Sequence, residues 1–572
     1  MSQETCRRLV ALAWPRGWPR HGTPSSDDVC GGDRTGMRAG RNRVRLARMS
    51  AVRGRSLPGS PDARGITVMP FLLSRLACVA VRSTARLTSV FDAVSGRAIG
   101  KTARRWLYLV HRWVGIASCL FFAMWFLSGL VMLYVPYPSL SSAEKLTGSE
   151  AIDWAAVDVP PPLEGGYLPQ ELMLEMRDGT PVWRVAQWDG SHVTVAAHRG
   201  AVLPLVDALY AARVAGRFAH ATVEHVDQLA RDQWTVAGGF DRHRPVWKVA
   251  LADASGTEAY VSSSTGAIVQ VTTRRERFWN WLGSVPHWLY PTVLRQDQSA
   301  WRQVVLWVSG PCIAAAVAGM WIGILRTRIG ARRFRGGRMT PYNGWMFWHH
   351  IAGMVGGVFL IAWIFSGWLS VDPGHLFGGT KPVKAAMRVY QASDQMPVVS
   401  LDRLRAVGSG AVIAKLIDNA GTPLVLLAYR DGRRAALDAV MLTPSRPTTH
   451  ALMAGVRRLA GSTRLIAIDR LTTPDAYWYA VATLPQLPVL RLRFADPPQT
   501  WFYIDPATGE ILKTVDKRQR AYRWAFDFLH KWDLSVLTMY RPARDMLIWL
   551  FSIAGGVTSI SGIWLGWKRL RR

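Results

Sequence analysis

Four uncharged apolar runs, Val114–Val135, Val304–Leu325, Ile351–Val371 and Met546–Trp567, constrain this chain more than any other feature. Each is 21 or 22 residues long. At about 1.5 Å per helical residue, such a run spans roughly 30 Å, the thickness of a bilayer's hydrocarbon core. Tryptophan and tyrosine crowd the ends (Trp106, Tyr134, Tyr137, Trp301, Trp345, Trp567), as interfacial belts do. Helices buried in a soluble core are usually shorter and carry more polar breaks. The composition agrees: 49% hydrophobic and 19% charged is too apolar for a soluble enzyme and too charged for a compact many-helix transporter. Four transmembrane helices with sizeable domains outside the bilayer are expected.

The basic residues predict the orientation. RTRIGARRFRGGRMTPYNG, between the second and third runs, holds six arginines and no acid, and both the approach to the first run (KTARRWLYLVHR) and the tail (KRLRR) are basic. Positive loops stay in the cytoplasm, so both termini are placed inside. Much of the formal net charge of +31 is then topology and contact with anionic lipid. No groove-reading motif is visible, and no nucleic-acid partner is expected. The division that follows is a cytoplasmic segment 69–105, helices 106–135 and 304–325, a basic loop 326–348, helices 349–371 and 546–567, and a tail 568–572.

Two long segments then face outward, 136–303 with 168 residues and 372–545 with 174. Neither contains a cysteine, so each must be held by its own core. Residues 1–68 carry thirteen arginines against five acids and no apolar periodicity. They read either as a disordered basic tail or as the product of a start codon assigned too early, with Met69 opening the chain.

The sequence repeats itself. Shifted by 238 positions, His111 falls on His349, Gly115 on Gly353, Trp125 on Trp363 and Ser128-Gly129 on Ser366-Gly367. Shifted by 243, Pro245-Val246 falls on Pro488-Val489, Tyr260 on Tyr503, Thr265-Gly266 on Thr508-Gly509, Trp281 on Trp524 and His287 on His530. The chain reads as two parallel copies of a helix, outward domain and helix, related by a pseudo-two-fold along the membrane normal. In each outward segment, alternating runs around Asp189-Gly190 and Asp431-Gly432, and around the Thr-Gly turns, predict antiparallel hairpins. With helices such as LPQELMLEMRD before them, a small sheet under a covering helix is expected: one α+β domain per half.

The strand-turn-strand before the second and fourth helices, together with HRWVG…SG, resembles the PepSY-associated transmembrane family. The resemblance runs from Trp106 to Trp567 and implies a four-helix membrane protein with two extracytoplasmic PepSY-like domains. Some members of that family are inner-membrane reductases of ferric siderophores that carry b-type haem between their helices; others have no known activity. Short PepSY domains are associated with peptidase inhibition, so the family fixes architecture better than function.

Thirteen histidines are present, but four stand at repeat-equivalent positions near the bilayer: His111 with His349 on the inner side, and His287 with His530 on the outer. A two-fold axis sets equivalent residues face to face. Two opposed imidazoles suit the axial positions of a haem iron, and Gly115, Gly353, Gly356 and Gly357 would let a flat ring approach the backbone. One or two haems b per chain are expected. His350 rivals His349 as a ligand, about 100° away around the helix, and His375 is a further candidate on the outer side. The competing reading is that each is an interfacial histidine reaching for headgroups, or a packing residue copied by duplication. His192, His198, His220, His225, His243 and His450 lack metal-ligand spacing and read as surface or core residues.

There is no GxGxxG after a strand, no phosphate loop, no HExxH and no GxSxG. The inner loop is too short for a flavin or nicotinamide domain. Electrons entering from inside would need a separate donor, quinol or a cytoplasmic reductase. The expected activity is single-electron transfer to an extracytoplasmic ferric chelate, as in ferric-siderophore reductases. The alternatives are a non-redox anchor whose outward domains bind a peptide or peptidase, and an assembly or sensing partner in metal uptake.

Overall fold

The computed structural model describes residues 100–572 except 164, 330–332, 380–383, 392–394 and 480–484. The expectations for residues 1–68, and for 69–99 of the inner segment, lie outside the described residues.

Each apolar run becomes one long helix: α1 (Lys101–Met132), and three others described below in chain order. After α1 comes a short helix α2 (Ser142–Gly148), closed at its start by a Ser141–Glu144 capping box. Strands β1 (Glu171–Arg177), β2 (Thr180–Ala186) and β3 (His192–Ala196) form a meander. The stretch LPQELMLEMRD is therefore a strand and not the expected helix: Leu172 and Leu174 alternate into the core, and ladders on both sides hold the backbone extended. Helix α3 (Ala208–Ala219) starts at Asp207, whose side chain accepts from the Tyr210 amide. Strands β4 (Val223–Leu229), β5 (Val246–Leu251), β6 (Glu258–Ser262) and β7 (Ile268–Thr272) make a four-stranded antiparallel sheet. Helices α4 (Arg274–Leu282) and α5 (Ser284–His287) then lead to α6 (Gln298–Arg326), which Asp297 caps.

The second half follows the same order. Helix α7 (Gly344–Ser370) is succeeded by α8 (Lys384–Gln391), β8 (Ala411–Asn419), β9 (Thr422–Tyr429) and β10 (Arg434–Asp438). Next come α9 (Thr449–Ala460) and β11 (Leu465–Leu471), β12 (Val489–Phe494), β13 (Trp501–Ile504) and β14 (Ile511–Val515). Helix α10 (Lys517–Tyr522), a π-helical turn over Arg523–Phe528 and α11 (Leu529–Lys531) lead to α12 (Arg541–Leu570). A shift of 243 carries β5 onto β12 and β7 onto β14 without remainder.

Helices α1, α6, α7 and α12 have 32, 29, 27 and 30 residues, long and apolar enough to cross a bilayer. They pack in the ring order α1–α6–α7–α12, so α1 faces α7 across the bundle and α6 faces α12. Small residues set the spacing: a Cβ on Gly356 would lie 3.1 Å from Ala554 Cβ, and one on Gly566 3.0 Å from Ile116.

The two segments between the long helices of each half differ from the expectation of one small sheet apiece. Each does carry its own four-stranded sheet under a helix, α3 on β4–β7 and α9 on β11–β14. The two meanders, however, fuse into one six-stranded sheet, β10-β9-β8-β1-β2-β3, through β1–β8 pairs such as Leu172↔Leu416 and Leu174↔Ala414. The reason is the edge problem: each meander alone would leave β1 or β8 with unpaired backbone groups, and the two edges satisfy one another. Leu172, Leu174, Trp183, Ala414 and Leu427, all 0–1% exposed, fill one core that draws on both segments.

Candidate functional site

The bundle brings His111 and His349 together near the end where α1 and α7 begin, with ring centroids 6.1 Å apart and planes at 44°. The packing of each ring is local and similar. The His111 ring lies over Gly319 of α6, where a Cβ would stand 2.5 Å from its Cε1. The His349 ring lies over Gly562 of α12, where a Cβ would stand 3.2 Å from its Cε1. A glycine at helix position i uncovers the carbonyl of residue i−4, and both rings use it. His111 Nδ1 is 3.1 Å from Ala315 O, and His349 Nδ1 is 2.9 Å from Thr558 O and 3.1 Å from Ser561 Oγ.

His287 and His530 meet at the other end of the bundle, where the sheets lie, with centroids 6.0 Å apart and planes at 70°. Here the supporting glycines belong to α1 and α7. A Cβ on Gly129 would be 3.1 Å from His287 Cε1, and one on Gly367 3.5 Å from His530 Cε1. His287 Nδ1 is 3.0 Å from Ser128 Oγ, and His530 Nδ1 is 3.0 Å from Ser366 Oγ and 3.1 Å from Trp363 O. The Trp125 indole donates to His287 O at 3.0 Å, fixing α5 to α1. His530 follows the π-helical turn and stacks on Phe526 at 5.1 Å. The buried pair Arg523–Asp533, at 2.7 Å, closes its loop from the sheet side.

These contacts fix the tautomers. A carbonyl oxygen can only accept, so the Nδ1 atoms of His111, His349 and His530 carry the proton. Ser128 spends its single hydroxyl hydrogen on Met124 O at 2.6 Å, so its oxygen accepts from His287 Nδ1. In all four imidazoles the lone pair is therefore on Nε2. Burial holds the His287 ring down to about 4; burial and the neighbouring His287 hold His530 to about 3, so both are neutral at neutral pH. A proton on Nδ1 held by the protein and a free Nε2 is the arrangement of a metal-binding histidine.

The dimensions suit one metal between each pair. Two imidazole nitrogens at about 2 Å on opposite sides of an ion put ring centroids about 6 Å apart. Among the described residues no cluster of three or more His, Cys, Asp or Glu is placed to hold a metal ion. The pairs are 18 residues apart along α1, about 27 Å from His111 to the Gly129 that supports His287. Phe122, Phe126, Leu360 and Ile364, with Trp125 and Trp363 against them, fill the interval.

His350 is held apart from its neighbour. Its Nδ1 meets Thr340 Oγ1 at 2.7 Å, and its Nε2 meets Gly323 O at 3.0 Å and Thr327 Oγ1 at 3.2 Å. With both nitrogens engaged, it packs the loop before α7 rather than joining the pair. His375 is largely exposed and lies 3.1 Å from an Arg302 nitrogen. Of the glycines expected beneath a flat ring, Gly356 and Gly357 instead meet Ala554 and Met320 of neighbouring helices. Gly115 and Gly353 have more room, their nearest neighbours being His111 Nδ1 at 3.9 Å and Thr558 Cγ2 at 3.6 Å.

The supporting residues Ala315, Gly319, Thr558, Ser561 and Gly562 escaped the sequence reading. The signal was present: the shift of 243 carries Gly319-Met-Trp321-Ile-Gly323 onto Gly562-Ile-Trp564-Leu-Gly566. No family model matches the chain, and no curated protein is detectably similar to it.

Proposed function

We propose that this chain is a membrane electron carrier that holds haem b between His111 and His349 and between His287 and His530. The observation that carries the reading is the double occurrence of one arrangement: two imidazoles 6.0–6.1 Å apart, each with Nδ1 tied down and Nε2 free, near opposite ends of a four-helix bundle. Haem iron supplies a one-electron ferric–ferrous couple, and its potential would follow from axial ligand and burial.

The chain's own residues do the rest. Ala315 O, Thr558 O, Trp363 O and the hydroxyls of Ser128 and Ser366 orient the rings and raise their donor strength through Nδ1–H. The aromatic and aliphatic plug between the pairs excludes water and ions, so charge crosses without a leak. No side chain need act as acid or base.

In this reading the chain is a duplicated unit of the PepSY-associated transmembrane kind, set in a bacterial inner membrane with both termini cytoplasmic. Electrons enter from quinol or a separate cytoplasmic reductase, and leave at the outer pair for a ferric chelate, whose iron is released on reduction. The test is a reduced-minus-oxidised visible spectrum of detergent-purified protein, with pyridine haemochrome quantitation. About two low-spin haems per chain are expected. A colourless protein, expressed with ample haem, overturns the redox reading in favour of a peptide-binding anchor.

A further inference from the structure

A second feature lies away from the histidines. Between β1, β2, α2, α3 and the turn joining β6 to β7 there is a cavity lined by charged residues. Its carboxylates are all engaged: Glu175 with Arg184, Asp178 with Arg213 and Arg217, and Glu150 with Arg217. Arg177 also faces this cavity and takes part in no ion pair among the described residues. It is 7% exposed, and its Nη1 is buried without a hydrogen bond. Its Nη2 makes a long hydrogen bond to Pro204 O at 3.5 Å.

The guanidinium is held in place although it lacks a counter-charge. It lies 4.8 Å over the Tyr210 ring, and Gly266 in the β6–β7 turn leaves room for it; a Cβ there would be 2.9 Å from Arg177 Nε. The Tyr210 hydroxyl is buried beside it and interacts with the Arg177 guanidinium through its oxygen, which leaves its O–H proton without an acceptor. A charge buried without a counter-charge is costly, far more so than one at the surface. Such a group, ordered by stacking and flanked by an idle hydroxyl donor, is the form a receptor for a planar anion takes.

The other half of the chain serves as an internal comparison. The shift of 243 replaces Arg177, Arg184, Tyr210 and Arg217 by Ala420, Leu427, Met453 and Ala460. There Tyr390 of α8, fully buried, fills the space and donates its hydroxyl to the carbonyl of Gly509, the counterpart of Gly266. Packing this fold position therefore does not require charge. One half has closed it with an apolar core; the other keeps a polar cavity with an unpaired guanidinium.

We propose that this cavity of the first half binds a small organic carboxylate, with Arg177 Nη1 and the Tyr210 hydroxyl donating to its oxygens and the half-buried Lys145 adding charge at the wall. The site is independent of the histidine pairs. The test is isothermal titration of the full-length chain in detergent with acetate, succinate and citrate, against phosphate and against chloride at matched ionic strength.

Saturable binding of at least one carboxylate is expected. Losing a charge-assisted hydrogen bond predicts about tenfold to hundredfold weaker binding in Arg177→Gln. Tyr210→Phe keeps the ring under Arg177 and removes only the hydroxyl, so it should fold as well as the parent and still bind several-fold more weakly. Three results overturn the proposal: no saturable binding of any of the three, phosphate binding as tightly as the best carboxylate, or affinities untouched in both variants.

Discussion

The ring-over-glycine packing makes a graded prediction at three of its four places. Gly319→Ala would put a methyl 2.5 Å from His111 Cε1 and 2.7 Å from Nδ1, where ordinary contact begins near 3.4 Å. The ring must retreat by roughly 0.9 Å or α6 must move away, whereas a metal–nitrogen bond tolerates about 0.2 Å. Ligation at this end should fail. Gly367→Ala puts its methyl 3.5 Å from His530 Cε1, an ordinary contact, so the ring stays. Alanine is also preferred over glycine inside a helix by about 1 kcal/mol. Gly129→Ala, at 3.1 Å from His287, falls between. The assay is haem per chain with the reduced α band. The parent should give about two, Gly319→Ala one and Gly367→Ala two, with Gly129→Ala showing a shifted or weakened band. The haem retained at the sheet end of Gly319→Ala reports that the bundle has folded. Two haems with an unchanged band in Gly319→Ala, or a lost haem in Gly367→Ala, would refute the packing argument.

Five further outcomes follow from the contacts described above. His349→Ala should lower haem from about two to about one per chain, while His350→Ala should keep both and cost about 1–3 kcal/mol in thermal stability, because Thr340 Oγ1 and Thr327 Oγ1 lose a partner. Ser366→Ala removes one acceptor from His530 Nδ1 but leaves Trp363 O, so haem affinity at that pair should fall by about tenfold or less, read by haem titration of the apoprotein. Asp533→Ala leaves Arg523 as a buried unpaired cation, at a cost of about 3–5 kcal/mol, and should release sheet-end haem on warming before the other. A chain cut after α6 exposes β1 with Leu172 and Leu174 beside it, and should aggregate in detergent where the intact chain is monodisperse by gel filtration.

The helices and the histidine pairs were legible because each rests on a local or a repeated signal. Twenty-odd apolar residues have few alternatives to a spanning helix, and a residue kept at equivalent positions of two copies must meet its twin wherever a two-fold axis passes nearby. The choice between His349 and His350 was not legible. One residue of helix rotation separates a ring that faces α12 from one that faces Thr327, Thr340 and the end of α6, and only the packing of neighbouring helices settles which is which. The supporting glycines were missed for a different reason. Gly356 and Gly357 stand in the same helix as His349 and drew attention by closeness in sequence, whereas a ring leans on the helix beside it, so the glycine that matters lies about 200 residues away.

The fused sheet shows where a repeat can mislead. Hairpins β2–β3 and β9–β10, around Asp189-Gly190 and Asp431-Gly432, are predicted correctly one at a time, and treating each half as a closed unit then yields two separate domains. Yet the same two-fold logic that brings His111 to His349 also brings edge β1 to edge β8. An antiparallel ladder between equivalent edges is its own image under that axis, so the pairing needs no special sequence, only two edges that each lack a neighbour. The consequence reaches the bundle. Helices α1 and α6 belong to one half and α7 and α12 to the other, and each histidine pair takes one ring from each. A sheet that locks the halves together at one end of the bundle therefore limits how far the rings of a pair can separate, as the proposed haem sites, with one histidine from each half, would require.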